Sequence, residues 1–172
     1  NQLSGLIPEE IGDLTVLNEL YLSKNQFSGN IPNKLKDLTI LDYFWIGDNK
    51  FNFKNIHNSG IEQGRLEDFI YSPQANLSAP ENSQATSAPW SYTLSMPEGH
   101  ENNVYHWFRN ENPISGANGR QYTIPDFWEG DVNFYCKITN PLYPDLTLES
   151  ESITISNTVG MEDQELNKEL KR

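Results

Sequence analysis

Residues 17–32 read L-N-E-L-Y-L-S-K-N-Q-F-S-G-N-I-P, and this stretch decides how the first part of the chain folds. Its second half matches residues 1–8, N-Q-L-S-G-L-I-P, at an offset of 24 residues. Its first half matches residues 41–49, L-D-Y-F-W-I-G-D-N, at the same offset. Agreement at so many positions with one period indicates an internal structural repeat.

The residue types within this period fit a coil that buries one side against its neighbours. Leu17, Leu20 and Leu22 are placed to point inward from a short strand and its approach. The side-chain amide of Asn25 can bond the backbone of neighbouring coils as an internal ladder. Gly29 and the Ile-Pro pair at 31–32 supply a turn and an extended segment. Each coil then buries its apolar side against the next coil.

The repeat resembles the plant-specific class of leucine-rich repeats, with the pattern LxxLxLxxNxLSGxIPxxLGxL, over residues 1 to about 50. The resemblance implies a horseshoe solenoid with a parallel sheet on its concave side. A third, irregular turn starts at residues 49–53 and lacks the Ile-Pro element. Leu66, Phe69 and Tyr71 restore a last strand, which indicates a closing coil.

The number of repeats suggests that the array extends further. Two complete repeats are fewer than the roughly three that a stable array needs. We therefore interpret residues 1–72 as the end of a leucine-rich-repeat array with further repeats on its N-terminal side. The alternative is a short array that dimerises through its open first coil.

The periodicity changes from residue 73 onward. Residues 73–89 are small, polar and punctuated by proline, which predicts a linker or an irregular first strand. Residues 90–157, with a start as early as about 75, alternate as strands do and predict an antiparallel β-sandwich. The candidate strands are Trp90–Met96, Val104–Asn110, Gln121–Ile124, Val132–Asn140 and Leu146–Ile155.

Two core residues resemble those of the immunoglobulin superfamily. Trp107 is similar to the buried tryptophan of its strand C, and Cys136 is similar to the cysteine of its strand F. The resemblance implies a partner cysteine near Leu94, so leucine would fill the place of a disulfide. Phe134 stands where the family has a tyrosine, so the tyrosine-corner hydrogen bond cannot form. The second part is therefore expected to be an immunoglobulin-like β-sandwich.

The order of the two parts resembles bacterial surface proteins that chain such modules. Tyr-Ser-Pro-Gln at 71–74 and Trp-Phe-Arg-Asn at 107–110 carry this likeness. It implies an extracellular or cell-surface location and a role in adhesion or recognition. Residues 158–172 are interpreted as a charged linker or as the start of a further module, because residues 161–172 are mostly charged.

The composition argues against several classes of partner. The formal net charge of -12 disfavours nucleic acid, because phosphate binding needs clustered Lys and Arg. No run of about 18 apolar residues is present to insert into a membrane. Cys136 is the single cysteine, so an internal disulfide or a cysteine zinc site cannot form, and we expect an inert core thiol.

The chain shows no recognised catalytic signature. It contains no GxGxxG, Walker-type, GxSxG or HExxH motif. His57, His100 and His106 are scattered over different predicted elements, and exposed surface positions are favoured over metal ligation. His106 should point outward by strand alternation. We therefore expect no enzymatic activity, no cofactor and no metal.

A candidate ligand site lies on the concave face of the predicted repeat sheet. Residues between the inward positions of each strand should point outward, and stacked coils should align them in columns. Exposed aromatic residues flanked by acids are frequent interface anchors. The competing interpretation is that Trp45 and Ile70 pack against the linker or the sandwich. The candidate residues are Glu19, Tyr21, Tyr43, Trp45, Asp68 and Ile70, with Ser23, Gly47 and Ser72 as a third column.

These observations leave three functions open. The first is a recognition or adhesion module that binds a protein, peptide or glycan on the concave face. The second is a passive structural spacer. The third is an accessory binding part of a larger carbohydrate-active enzyme.

Overall fold

The computed structural model describes residues 1–84, 91–97, 99–124 and 130–157. In these residues the fold is mainly β, with both parallel and antiparallel sheets, none of which is closed. The predictions for residues 85–90, which include Trp90, and for residues 158–172 fall outside the described residues.

Parallel strands build the first half of the chain. The strands β2, β4 and β5 form a three-stranded parallel sheet in that order, and β1 pairs in parallel with β3. The predicted parallel sheet is therefore confirmed. The five strands are β1 (Ser4–Gly5), β2 (Glu19–Tyr21), β3 (Gln26–Phe27), β4 (Tyr43–Trp45) and β5 (Asp68–Ile70).

Short helices connect the strands of successive coils. Two 3-10 helices, Glu9–Asp13 and Asn33–Asp37, each follow the proline of a repeated Ile-Pro pair. The third coil instead contains an α-helix, α1 (Phe53–Asn58). A reciprocal capping box starts α1, because the side chains of Asn52 and Asn55 each accept a hydrogen bond from the other residue's backbone N–H, at 2.8 and 3.0 Å. The irregular third turn is thus an ordered helical connection.

The side-chain amide of Asn49 joins two coils from the inside. Asn49 is 1% exposed, and its Oδ1 accepts a hydrogen bond of 2.9 Å from the Phe27 N–H of the preceding coil. Its Nδ2 donates to the Leu22 carbonyl of that coil at 3.0 Å. It also donates to the Ile46 and Gly47 carbonyls of its own coil. One amide therefore bonds four backbone groups of two coils, as the predicted ladder requires.

The same interaction recurs on either side of Asn49. The Oδ1 atom of Asn25 accepts from the Leu3 N–H at 3.2 Å, and the Oε1 atom of Gln74 accepts from the Phe51 N–H at 3.0 Å. Gln74 also donates to the Ile46 carbonyl at 2.9 Å. We call Asn25, Asn49 and Gln74 the amide rungs. They join consecutive coils by hydrogen bonds at equivalent positions.

Apolar side chains fill the space between the coils. The fully buried ones include Leu35, Phe44, Ile46, Phe51 and Ile56. The outer side of the first coil differs, because Leu14 is 50% exposed whereas its repeat equivalent Leu38 is 2% exposed. Burial in this half thus comes from contact between neighbouring coils.

Antiparallel strands build the second half. One sheet has the order β10-β7-β6, and the other has the order β12-β11-β8-β9 with β13 also paired to β11. The strands are β6 (Glu81–Gln84), β7 (Tyr92–Ser95), β8 (Val104–Arg109), β9 (Asn112–Pro113), β10 (Gln121–Ile124), β11 (Gly130–Thr139), β12 (Thr147–Glu149) and β13 (Ile153–Asn157).

The buried side chains of both antiparallel sheets belong to one apolar cluster. Leu94 from β7 and Trp107, Phe134 and Cys136 from β8 and β11 all have essentially no exposed surface. The Trp107 indole N–H donates to the Gly119 carbonyl at 2.9 Å, so its polar atom is satisfied. The predicted interior positions of Leu94, Trp107 and Cys136 are confirmed.

The prediction of one strand over Leu146–Ile155 is wrong. This stretch is divided into β12 and β13 at Ser150, which is buried and whose hydroxyl accepts from the Cys136 N–H at 2.9 Å. Leu77 inserts there, with its N–H on the Glu149 carbonyl and its carbonyl on the Glu151 N–H. Part of the predicted linker is therefore bonded to the second half.

Aromatic side chains form a joint between the two halves. The Tyr143 ring stacks on Phe53 with centroids 6.0 Å apart and meets Tyr71 edge-on at 5.6 Å. The Tyr71 hydroxyl donates to the Asp145 carboxylate at 3.4 Å. Tyr143 is 4% exposed, so the joint is a buried contact between the closing coil and the loop before β12.

Replacing the central rung should cost more stability than replacing the outer one. Asn49→Ala leaves buried carbonyls and an N–H unpaired, so we expect a loss of about 3 kcal/mol in the free energy of unfolding. Asn25→Ala removes a hydrogen bond to the N–H of Leu3, which is exposed. We therefore expect a loss of about 1 kcal/mol in the free energy of unfolding. Urea unfolding of both variants measures the difference. Equal losses would contradict a special role for the buried rung.

Removing the joint should uncouple the halves. Tyr143→Ala deletes a buried ring that contacts both sides, and we expect a loss of about 3 kcal/mol and two resolved thermal transitions in place of one. Leu142→Ala is the control, since Leu142 is 43% exposed. Differential scanning calorimetry measures both effects. A single unchanged transition in Tyr143→Ala would contradict the coupling.

Candidate functional site

The six predicted site residues lie together on the outer face of the parallel sheet. In the strand register, Glu19 pairs with Tyr43, and Tyr43 pairs with Asp68. The next column pairs Tyr21 with Trp45 and Trp45 with Ile70. Leu20, Phe44 and Phe69 alternate with them and point to the apolar interior. The predicted columns are observed, and we call this surface, defined by Glu19, Tyr21, Tyr43, Trp45, Asp68 and Ile70, the sheet face.

The aromatic column of the sheet face is held by direct contacts. The Tyr21 and Trp45 rings meet edge-on, with centroids 4.7 Å apart and planes at 62°. The Trp45 indole N–H donates to Oδ2 of Asp68 at 2.9 Å. Tyr21 is 50% exposed and Ile70 is 36% exposed. The rings are thus fixed in orientation while remaining open to solvent.

Carboxylates adjoin the polar end of each tyrosine on the sheet face. Hydrogen bonding to Glu67, burial, and the negative charges of Glu67 and Asp42 raise the pKa of Tyr43 to about 12. Burial, and then the hydrogen bond and charge of Glu19, raise the pKa of Tyr21. The hydroxyls of both tyrosines therefore remain protonated donors at neutral pH.

Sequence reasoning missed Glu67 and Asp42 as members of the site. Each lies one residue before a strand position of the sheet face, and Asp42 is fixed by a 3.0 Å hydrogen bond from the Asn18 amide. The signal available in the sequence was a second acid directly before Asp68 and an acid directly before Tyr43. Strand alternation did not single them out, because each strand has only three residues and these acids lie just before it.

Within the described ranges, no cation forms a salt bridge with these acids. Among the described residues, the salt bridges join Lys34 to Asp13 and Lys137 to Glu149, and neither involves the sheet face. The sheet face therefore has a concentrated negative charge around its rings.

The third predicted column is not part of the accessible surface. Gly47 is buried, and a Cβ atom there would lie 2.7 Å from the Ser72 carbonyl oxygen. Ser23 and Ser72 are half-buried. The prediction that Gly47 points out to solvent is wrong, because the chain leaving β5 crosses over it.

The joint does not cover the sheet face. The described contacts between the halves involve Phe53, His57, Tyr71 and Leu77, and none of them involves Trp45 or Ile70. Within the described residues, no hydrogen bond or ring contact supports the alternative in which Trp45 and Ile70 pack against the linker or the sandwich.

Two of the three histidines meet, contrary to the expectation that they are scattered. The His57 and His100 rings have centroids 4.6 Å apart at the joint, and the Tyr143 hydroxyl lies 3.4 Å from Nδ1 of His57. His106 is exposed on β8, as predicted. No group of three or more metal-ligating side chains occurs in the part of the chain that is described.

The thiol of Cys136 is fully buried, as predicted. Burial raises the pKa of this thiol to about 12, so almost none of it is thiolate at neutral pH. Across the described ranges, no helix is long and apolar enough to cross a membrane.

A second concavity lies in the other half, beside the turn between β8 and β9. It is lined by Asn110, Glu111, Tyr135 and residues 149–152, so its lining is mostly polar. Its lining contains one aromatic ring, that of Tyr135, which stacks on Phe108 with centroids 4.8 Å apart. The sheet face has three rings and is the stronger candidate for a binding site.

Comparison with known proteins adds no assignment. No protein-family model matches the chain, and no curated protein matches it significantly. The chemistry of the sheet face therefore rests on the geometry described above.

The Tyr43 hydroxyl gives a direct test of this geometry. Its pKa of about 12 exceeds the usual 10.0, so this interaction stabilises the native state fully below pH 10.0 and the stabilisation disappears as the pH rises through 12. Glu67→Gln should lower the pKa of Tyr43 toward 10.0, whereas Glu62→Gln should leave it unchanged. Carbon NMR titration of the labelled tyrosine ring carbons measures both. An unchanged pKa in Glu67→Gln would contradict the contact.

Proposed function

We propose that this chain is a non-catalytic recognition or adhesion module that binds a protein, peptide or glycan on the sheet face. In this proposal it consists of the end of a leucine-rich-repeat solenoid, with further repeats on its N-terminal side, followed by an immunoglobulin-like β-sandwich. It would be secreted or displayed on a bacterial cell surface.

The repeat half of the proposal is supported by three agreeing features. The sequence repeats with a period of 24 residues, the strands of successive coils pair in parallel, and an asparagine amide makes the equivalent bridge in two consecutive coils. These features match the resemblance to plant-type leucine-rich repeats.

The sandwich half is supported by its two antiparallel sheets and their shared core. Trp107 and Cys136 pair directly across β8 and β11, and Leu94 is buried on the opposing sheet. This arrangement fits the expected immunoglobulin-like core, with leucine in the place of a second cysteine. The surface location rests on the resemblance of the module order alone.

One observation carries the functional proposal. Three aromatic side chains, each with a carboxylate beside it, stand in one register on the outer face of the parallel sheet. Keeping large rings exposed on a folded surface forgoes the stabilisation of burying them, and such rings are frequent binding anchors. The pairs are Tyr21 with Glu19, Tyr43 with Glu67, and Trp45 with Asp68.

The joint supports the spacer as a second candidate function. Tyr143 is buried between Phe53 and Tyr71, and Leu77 bonds on both sides of Ser150. Such contacts would keep the two halves at a fixed angle, which a stalk requires. A stalk has no need of the exposed rings, so recognition accounts for more of the surface.

Removing two rings should abolish binding without unfolding the protein. Tyr43→Ala with Trp45→Ala removes half-buried anchors at the surface of the sheet, so we expect capture of ligand to fall at least about tenfold with a small change in melting temperature. A glycan array and a displayed peptide library provide the ligands. The control pair is Phe108→Ala with Tyr135→Ala, which removes a stacked aromatic pair from the second half.

The outcomes separate recognition from the rival functions. Loss of capture in the sheet-face variant, with normal capture in the control, supports recognition at this face. A large fall in melting temperature would assign the rings to packing. No binding by the wild-type chain in either library would favour the spacer.

A further inference from the structure

We propose that the ligand of the sheet face is an extended, basic peptide segment of a partner protein, with two arginines about three residues apart. This inference rests on the proposed function, since it names the chemistry that the face would recognise. Charge, ring geometry and spacing each lead to it.

The charge of the face selects a cationic ligand. Four carboxylates surround the rings, and none forms a salt bridge to a described residue. A neutral ligand would cover these charges without compensating for their lost hydration, which is costly. An arginine supplies the missing charge and can bind a carboxylate through two parallel hydrogen bonds. The carboxylates are those of Glu19, Asp42, Glu67 and Asp68.

The rings select a planar cation over a compact one. The Trp45 indole N–H is already bonded to Asp68, so what this half-buried ring can still offer a ligand is the accessible part of its π surface. A guanidinium group stacks on such a surface while its edge still bonds a carboxylate. Tyr21, which is half-exposed and in edge contact with Trp45, offers a second ring beside Glu19. Each end of the face therefore combines one ring with one acid.

The strand spacing sets the distance between the two cations. Glu19 and Asp68 lie in the same column on β2 and β5, which are separated by β4. Neighbouring strands are about 4.8 Å apart, so the two acids stand on backbones about 10 Å apart. A peptide in the extended polyproline II conformation advances about 3.1 Å per residue with three residues per turn, so three residues cover this distance and return the side chain to the same side. A peptide that crosses the strands would thus present arginines at positions i and i+3.

The experiment uses two synthetic peptides with the whole chain. One is a Gly-Ser peptide with two arginines three positions apart, and the other has citrulline in both places, which keeps the planar group but removes the charge. Isothermal titration calorimetry at low and high salt measures binding. We expect the arginine peptide to bind at least about tenfold more tightly than the citrulline peptide, and to weaken as salt rises.

Two pairs of variants test where the peptide binds, and each pair removes the same number of charges. Glu19→Gln with Asp68→Asn removes two charges from the sheet face but keeps an acceptor for Trp45, and we expect at least about tenfold weaker binding. Glu10→Gln with Glu151→Gln removes two exposed charges elsewhere, and binding should stay within about twofold. Circular dichroism of each variant checks that the fold is retained.

The readings distinguish this inference from the proposed function. Equal binding of the citrulline peptide, no binding of the arginine peptide, or equal loss in both variant pairs would overturn the basic-peptide inference. If a neutral glycan then bound and required Tyr43 and Trp45, the recognition function would stand without it. If neither glycans nor peptides bound the face, the recognition function itself would fail.

Discussion

Buried side-chain amides are the interaction on which the first half of the structure depends. Short coils expose many backbone groups to one another, and a buried backbone group without a partner costs about 1–3 kcal/mol. Asn49 satisfies such groups in two coils at once because one amide both donates and accepts. Apolar packing holds the coils together, but it is not directional. The amide rungs supply the direction, and they fix each coil at one register relative to the next.

The register has a consequence on the opposite side of the sheet. When Leu20, Phe44 and Phe69 stack in the interior, the alternating residues must form columns on the outer face. The edge contact of Tyr21 with Trp45 follows from that alignment. The sheet face is therefore assembled from three coils, and no single coil carries it. The joint at Tyr143 leaves it open.

The sequence predicted most of this face because its period was regular, and it failed where the period changed. Gln74 was missed as a rung because it lies 25 residues after Asn49, and a longer amide compensates for the shift. The insertion of Leu77 at Ser150, and the contact of the two joint histidines, depend on how the halves meet. Neither local propensity nor periodicity contains that information. Predicting the outer columns, by contrast, required only strand alternation and a constant repeat length.

The central claim is that the amide rungs align adjacent coils so that the Tyr21 and Trp45 rings are in contact. Nuclear Overhauser spectroscopy of the chain in solution, combined with exchange of the Trp45 indole N–H, measures this directly. The structure predicts cross-peaks between the Tyr21 and Trp45 rings, whose centroids are 4.7 Å apart, and slow exchange of the indole N–H that bonds Asp68. Absent cross-peaks together with the exchange rate of an unprotected indole would contradict the account.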